Sequence, residues 1–135
     1  MINAEMKAKL VQMAIEVRKN AYVPYSHYQV GAALLTRSGK IFSGVNIENA
    51  AYPTTICAER VAVFKAVSEG ELAFEAIAVA TENAGLCCGG CRQVLAEFGL
   101  DTLVLIADDQ GRVAHEVTVG DLLPGAFTPD QLPRK

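Results

Sequence analysis

Two short cysteine clusters, Cys57-Ala58-Glu59 and Cys88-Gly89-Gly90-Cys91, constrain what this chain can fold into more than any other feature it has. Cys88 and Cys91 supply two thiolates one helical turn apart, and Cys57, far from them in sequence, supplies a third. Three thiolates that converge on one ion make a zinc site with its fourth position open. Glu59, two residues from one of the ligands, then handles protons on a water bound at that position. An open zinc beside a carboxylate suits metal-assisted hydrolysis, whereas a closed site only stabilises a fold. The fold must therefore bring two distant segments together at a cleft.

The spacing of apolar residues places each cluster at the start of a helix. Asn3 is a cap for a first helix whose Met6, Leu10, Met13, Ala14, Val17 and Ala21 recur at three and four residues, ended by Pro24. Tyr28 to Leu35 reads as a strand apolar on both faces, with Gly31, Ala32 and Ala33 allowing close packing. Thr36 to Lys40 is a hairpin turn with Gly39 at positive φ, and Ile41 to Val45 returns as the second strand. Residues 46–55 form a polar loop. A second helix is expected over Ile56 to Ser68, with Val61, Phe64 and Val67 facing inward and Gly70 as its stop. Phe74 to Ala80 is a third strand. A third helix starts at Cys88 or Gly89, carries Val94, Leu95 and Phe98 inward, and ends at Gly99. Leu103 to Ala107 and Val113 to Val117 are strands, and Thr118 caps a short last helix before Pro124. Strands separated by helices imply crossovers and a sheet covered on both faces. The fold class is therefore α/β, a three-layer α/β/α arrangement on a mixed five-stranded sheet.

Helix N-termini carry free N–H groups and positive dipole ends, which stabilise thiolates. Gly89 and Gly90 leave room there for backbone amides to approach sulfur. Three thiolates on Zn²⁺ leave a net charge of −1, which Arg60, on the same helical face as Cys57, is placed to offset. Two other readings of the cysteines are weaker. A thioredoxin-like redox pair leaves Cys57 and Glu59 unexplained. A closed four-cysteine site would require adjacent Cys87 and Cys88 to converge on one ion. Glu59 also reads as an acid favouring the helix dipole, but Ile56 stands where a capping box needs Ser or Thr.

The 135 residues are expected to form one domain over 1–135, with 51% hydrophobic residues excluding a disordered chain. Twelve basic residues are scattered among fifteen acidic ones, and the net charge of −3 argues against nucleic acid as a partner. No run approaches the roughly 18 apolar residues of a membrane span. Met1 to Lys9 lacks the apolar region of a signal peptide, so the expected location is the cytoplasm. In that reducing compartment, clustered cysteines bind metal or act in catalysis.

The stretches Cys57-Ala58-Glu59-Arg60 and Cys88-Gly89-Gly90-Cys91-Arg92-Gln93 resemble the small zinc-dependent cytidine deaminases, which pair a three-cysteine zinc with a non-ligand Glu. So do Pro24-Tyr25-Ser26, Gln29 to Leu34, Gly44 to Ala50 and Leu122 to Phe127, so that the likeness runs over about residues 6–128. The resemblance implies one Zn²⁺ per subunit on Cys57, Cys88 and Cys91, and Glu59 as proton shuttle. It implies Asn46 and Glu48 on the ribose hydroxyls, Tyr28 (often Phe in the family) on the pyrimidine ring, and Ala58 backbone groups on the base. It further implies a homotetramer in which Phe127 enters a neighbouring subunit's pocket. The implied reaction is hydrolytic deamination of cytidine or 2′-deoxycytidine in pyrimidine salvage. Rivals are a blasticidin-type or N4-modified-cytidine deaminase and, outside enzymes, a zinc-stabilised binding module. Two departures stand out: Cys87 replaces the family's usual Pro, and the loop Thr81 to Leu86 is short.

Overall fold

The computed structural model describes residues 2–133; Met1, Arg134 and Lys135, at the ends of the domain expected over residues 1–135, lie outside the described residues. The Asn3 side chain accepts from the Met6 amide at 2.8 Å and opens helix α1 (Ala4–Val17), which buries Leu10, Val11 and Ala14. The helix stops sooner than its apolar spacing suggests. Arg18–Asn20 tighten into a 3₁₀ turn while Arg18 Nε donates to the Gln29 carbonyl at 3.0 Å, and the chain leaves helical geometry at Ala21, short of Pro24.

Strand β1 covers Gly31–Thr36 and not Tyr28 to Leu35. The reason is Asn46, whose Oδ1 accepts from the Val30 amide at 2.9 Å and whose Nδ2 donates to the Tyr28 carbonyl at 2.8 Å. A side chain thus occupies backbone groups that a longer strand needs for pairing. Strand β2 (Ile41–Val45) returns from the hairpin, with Gly39 at φ 93°. Helix α2 (Ala58–Ser68), strand β3 (Phe74–Ala80), helix α3 (Gly89–Ala96), strands β4 (Leu103–Ala107) and β5 (Val113–Thr118) and helix α4 (Val119–Leu122) follow. Thr118 and Asp121 close α4 with a reciprocal capping box.

The sheet order is β2-β1-β3-β4-β5, with β3 and β4 parallel and the other neighbours antiparallel. It is a mixed five-stranded sheet between two helical layers. On one face Leu10, Val11 and Ala14 of α1 pack against Ala33, Leu35, Ala76, Ala78 and Leu105. On the other, Ala62, Val63 and Ala66 of α2 and Leu95 of α3 pack against Leu34, Ile77, Val79, Val104 and Ile106. Among the described residues no helix is long and apolar enough to cross a membrane.

The inner face of α2 differs from expectation. Ala58, Glu59, Ala62, Val63 and Ala66 are its buried residues; Val61 and Val67 are half-buried, and Phe64 is 49% exposed. The physical cause is how close the helix lies to β2. A Cβ built on Gly44 would stand 2.5 Å from the Ala58 carbonyl oxygen and 2.6 Å from the Ala62 nitrogen. At that separation an alanine stripe fits and a phenylalanine does not. In α3, Leu95 is buried and Val94 half-buried; the helix ends at Ala96, short of the expected Gly99, and Phe98 just beyond it is half-buried against the core, its ring centroid 5.0 Å from that of Phe74.

Register places the site. Gly31 pairs with Val45 on one side and with Ala80 on the other, so the start of β1 and the ends of β2 and β3 share one edge of the sheet. Helices α2 and α3 follow β2 and β3 and begin beyond that same edge, where α/β sheets place their ligands.

Candidate metal centre and adjoining pocket

Cys57 is the N-cap residue of α2 and Cys88 that of α3, both in extended backbone geometry. The Cys57 thiol makes no capping bond, and Cys88 Sγ accepts from the Cys91 amide at 3.4 Å. The Sγ atoms of Cys57 and Cys88 are 3.8 Å apart and those of Cys88 and Cys91 3.4 Å, and all three lie within 4.8 Å of one another. Thiolates about 2.3 Å from a tetrahedral zinc stand about 3.8 Å apart. Donor type and spacing both fit that ion. Cys57 is pulled down to about 5, first by the Cys91 thiol and then by Arg60, against the opposing effect of burial. Cys91 is pushed up beside the Cys57 thiolate and by burial, and a cation held there would favour its thiolate form. Arg60 Nη2 donates to Cys57 Sγ at 3.4 Å and to Cys88 Sγ at 3.9 Å.

Glu59, in the first turn of α2, is only 5% exposed, and burial holds its carboxyl above the usual carboxylate range. The Cys87 thiol is also buried, and burial together with the charge of Glu59 pushes it well up. It stays a neutral thiol and does not compete with Cys57 for the anionic role. The Ala58 amide is among the helix N–H groups that have no partner within α2.

A hollow of about 280 Å³ opens on these groups. Cys57, Ala58, Glu59 and Cys88 line one wall, with Ser26, Tyr28, Val30, Asn46, Glu48, Thr81, Gly85 and Leu86 among the residues across from and around them. The two largest hollows, about 440 Å³ beside Arg37 and about 460 Å³ beside Asp130, are more open and hold none of these residues. Tyr28, Asn46, Glu48, Ala58 and Glu59 thus come together with the metal ligands at one pocket. Cys91 sits behind it, fully buried. Phe127 does not join them: it is 54% exposed, and its carbonyl accepts from Gln93 Nε2 at 2.8 Å.

Asn46 and Glu48 already have partners. Both ends of the Asn46 amide hold the Tyr28 to Val30 backbone. Glu48 Oε1 accepts from the amides of Tyr25 at 3.0 Å and Ser26 at 3.1 Å, and its other oxygen accepts from the Ser26 hydroxyl. The Ser26 hydroxyl in particular holds the Glu48 carboxyl below the usual carboxylate range. A carboxylate has lone pairs left for hydroxyl donors beyond these three. Residue reasoning passed over Ser26, Thr81, Asn83 and Gly85. They lie in segments without periodicity, and a polar loop residue carries no mark of what it will bond.

The family model for the cytidine and deoxycytidylate deaminase zinc-binding region matches residues 4–107. A cytidine deaminase of Halalkalibacterium halodurans is 52% identical over 126 residues, which are 91% of this chain and 95% of the relative. The crystal structure of cytidine deaminase from Burkholderia pseudomallei superposes with a TM-score of 0.85 at 44% identity, covering 93% of this chain and 100% of that one. A blasticidin-S deaminase of Bacillus cereus is 30% identical over 135 residues, 93% of this chain and 94% of the relative.

Proposed function

The chain belongs to the cytidine and deoxycytidylate deaminase zinc-binding family, and from that premise we propose a division of labour among its own residues. It is a zinc-dependent cytidine deaminase, an enzyme that hydrolyses cytidine to uridine and ammonia and holds one zinc per subunit. The observation that carries this reading is a buried carboxylate, Glu59, on the same pocket wall as a three-thiolate cluster with metal spacing.

Cys57, Cys88 and Cys91 hold the metal, and Arg60 balances the excess negative charge on their sulfurs. Zinc, when bound, supplies a water acidic enough to act as a nucleophile at neutral pH. Glu59 takes a proton and delivers it to the ring nitrogen next to carbon 4 of cytosine, which makes that carbon electrophilic. The water's oxygen bonds to carbon 4, and Glu59 moves the second proton from that oxygen to the amino nitrogen, so that the bond between carbon 4 and that nitrogen breaks and ammonia leaves. One carboxyl serves as base and then acid, and its burial favours a value nearer neutrality than that of a solvated Glu. The Ala58 amide contacts the base, the Tyr28 ring lies against the pyrimidine, and Glu48 and Asn46 meet the ribose hydroxyls. For Asn46 this means sharing an amide that already fastens the chain.

2′-Deoxycytidine, which keeps a 3′-hydroxyl for Glu48 and Asn46 to meet, is accepted as well. The enzyme works in the cytoplasm in pyrimidine salvage, as a homotetramer whose exposed Phe127 completes a neighbour's pocket. A plain nucleoside is favoured over a blasticidin-type substrate by the Asn46-Ile47-Glu48-Asn49 loop, whose Asn46 and Glu48 line the pocket. The purified protein, supplied with zinc, should remove the absorbance of cytidine, and a zinc chelator should stop it. Absence of turnover at verified zinc content overturns the assignment.

A further inference from the structure

Cys57 and Cys88 are both N-cap residues, and each follows a loop. The two loops are fastened differently where they enter the helix. Before Cys57, Ile56 forms a backbone bridge with Ile47, each amide donating to the other's carbonyl at 3.0 Å. That bridge fixes the path of the chain into the first metal ligand. Before Cys88 the fastening is a side chain: Arg92 Nε donates to the Cys87 carbonyl at 2.8 Å. Arg92 Nη1 donates to the carbonyl of Leu122, the last residue of α4, also at 2.8 Å. One guanidinium thus spans from the residue before a metal ligand to the end of a helix that packs against α3.

The entry to Cys88 needs such a tie more than the entry to Cys57 does. Cys91 is fully buried within α3, but Cys88 is exposed at its start. The Sγ atoms of Cys57 and Cys88 stand 3.8 Å apart across the cleft, so a swing of the chain at Cys87 would open the cluster. A proline at position 87 would restrain the chain there by fixing φ, a restraint that Cys87 lacks. Two hydrogen bonds from different nitrogens of a planar guanidinium hold the same peptide from outside. Gln93, next along α3, provides an internal comparison. Its Nε2 donates to the Phe127 carbonyl at 2.8 Å, which fastens the C-terminal segment to α3 without reaching Cys87.

We propose that Arg92 is a positioning residue for the metal: by tying the Cys87 carbonyl to the end of α4 it keeps Cys88 where it completes the three-thiolate cluster. The proposal rests on the assignment of Cys57, Cys88 and Cys91 to zinc. Arg92 is neither one of the clustered cysteines nor a wall of the pocket, and it acts through the backbone of Cys87. Its loss should therefore appear in how tightly the protein holds zinc.

The test measures the zinc affinity of the full chain by competition with a chromophoric chelator, together with the melting temperature of the zinc-free proteins. Lysine offers one compact ammonium in place of the fork and cannot hold both carbonyls. Arg92→Lys and Arg92→Met should each bind zinc about 10- to 100-fold more weakly than wild type, the usual effect of losing a group that orients a metal ligand. Gln93→Leu, which frees no ligand, should stay within about twofold of wild type. Adding Cys87→Pro to Arg92→Lys should recover most of the loss, because the ring fixes the φ that the tie otherwise steadies. Unchanged zinc affinity in both Arg92 variants overturns the proposal, even where their melting temperatures fall. An equal loss in Gln93→Leu overturns it too, as does a double variant no better than Arg92→Lys. If neither Arg92 variant folds, the tie is a general support of the fold and its assignment to the metal is overturned. A wild type that binds no zinc overturns the metal assignment itself, and with it the role of Arg92.

Discussion

On one wall of the pocket the reactive groups ride on helix N-termini: Cys57 caps α2, Glu59 lies in its first turn, Cys88 caps α3 and Cys91 follows one turn on. On the other wall Ser26, Tyr28, Asn46 and Glu48 belong to irregular chain, held in shape by side chains that bond to backbone. A helix start delivers dipole, free amides and a rigid frame at once, which suits groups that must stay ionised or move a proton. Irregular chain offers many more directions for hydrogen bonds but needs each residue pinned separately. The first wall should therefore fail in chemistry or in global stability, and the second by small local increments.

The largest effect tests the chemical side of this contrast. Glu59→Gln keeps the shape of the side chain and removes its ability to accept and pass on a proton. It should lower kcat by about 10²- to 10⁴-fold, the usual worth of a general acid–base group. Zinc content should stay at that of wild type, because Glu59 is not among the three ligands. Activity within a few fold of wild type, at equal zinc content, would remove Glu59 from the reaction.

The next effect tests the frame beneath that wall. Gly44→Ala places a methyl group against the Ala58 carbonyl and the Ala62 nitrogen, both backbone atoms unable to turn aside. Helix α2 must then lift, at a cost near the upper end of overpacking, about 3 kcal/mol. Urea unfolding should show the loss, and turnover should drop with it, since lifting α2 moves Cys57 and Glu59 away from Cys88. A variant as stable as wild type would mean that α2 is not seated on Gly44.

The same contrast governs what was legible in the sequence. The helix-borne wall could be read directly: cysteine spacing, capping positions and the strand–helix alternation all follow from regular periods. The strands Ile41–Val45, Phe74–Ala80 and Leu103–Ala107 have the bounds their composition implies. The inward face of α2 could not be read in this way. Phe64 looked like a core residue by its size, but closeness to Gly44 selects Ala58 and Ala62, and apolar periodicity says nothing about the distance between a helix and the strand beneath it. The loop-borne wall was legible only through resemblance, which pointed to Tyr28, Asn46 and Glu48 but not to the bonds holding them. That Tyr28 to Val30 would leave the strand depended on a single distant amide, Asn46.

Asn46→Ala measures one such pin. It leaves the half-buried Val30 amide without its side-chain acceptor and frees the Tyr28 carbonyl, which should cost about 1–2 kcal/mol. Because the Tyr28 to Val30 segment lines the pocket, KM for cytidine should rise while zinc content stays constant. Unchanged stability together with unchanged KM would show that the segment keeps its path without Asn46.

The smallest effect comes from the most exposed pin, and pH separates its parts. In the folded protein the Ser26 hydroxyl and the Ser26 and Tyr25 amides hold the Glu48 carboxyl below its ordinary value of 4.5. A carboxyl lowered on folding stabilises the fold fully above its unfolded value, and that contribution fades as pH falls through the lowered, folded value. In Ser26→Ala the hydroxyl is gone and the carboxyl returns toward 4.5. The melting-temperature difference between wild type and variant should therefore be constant between about pH 6 and 8 and shrink below about pH 4.5. It should not reach zero, because the Ser26 hydroxyl oxygen also accepts from the Tyr28 amide at 3.0 Å, a bond that does not titrate. Protonation of the zinc thiolates in acid weakens both proteins alike and cancels in the difference. A gap that stays the same down to pH 3 would mean that Glu48 does not feel Ser26 in solution, and the loop wall would lose its outermost anchor.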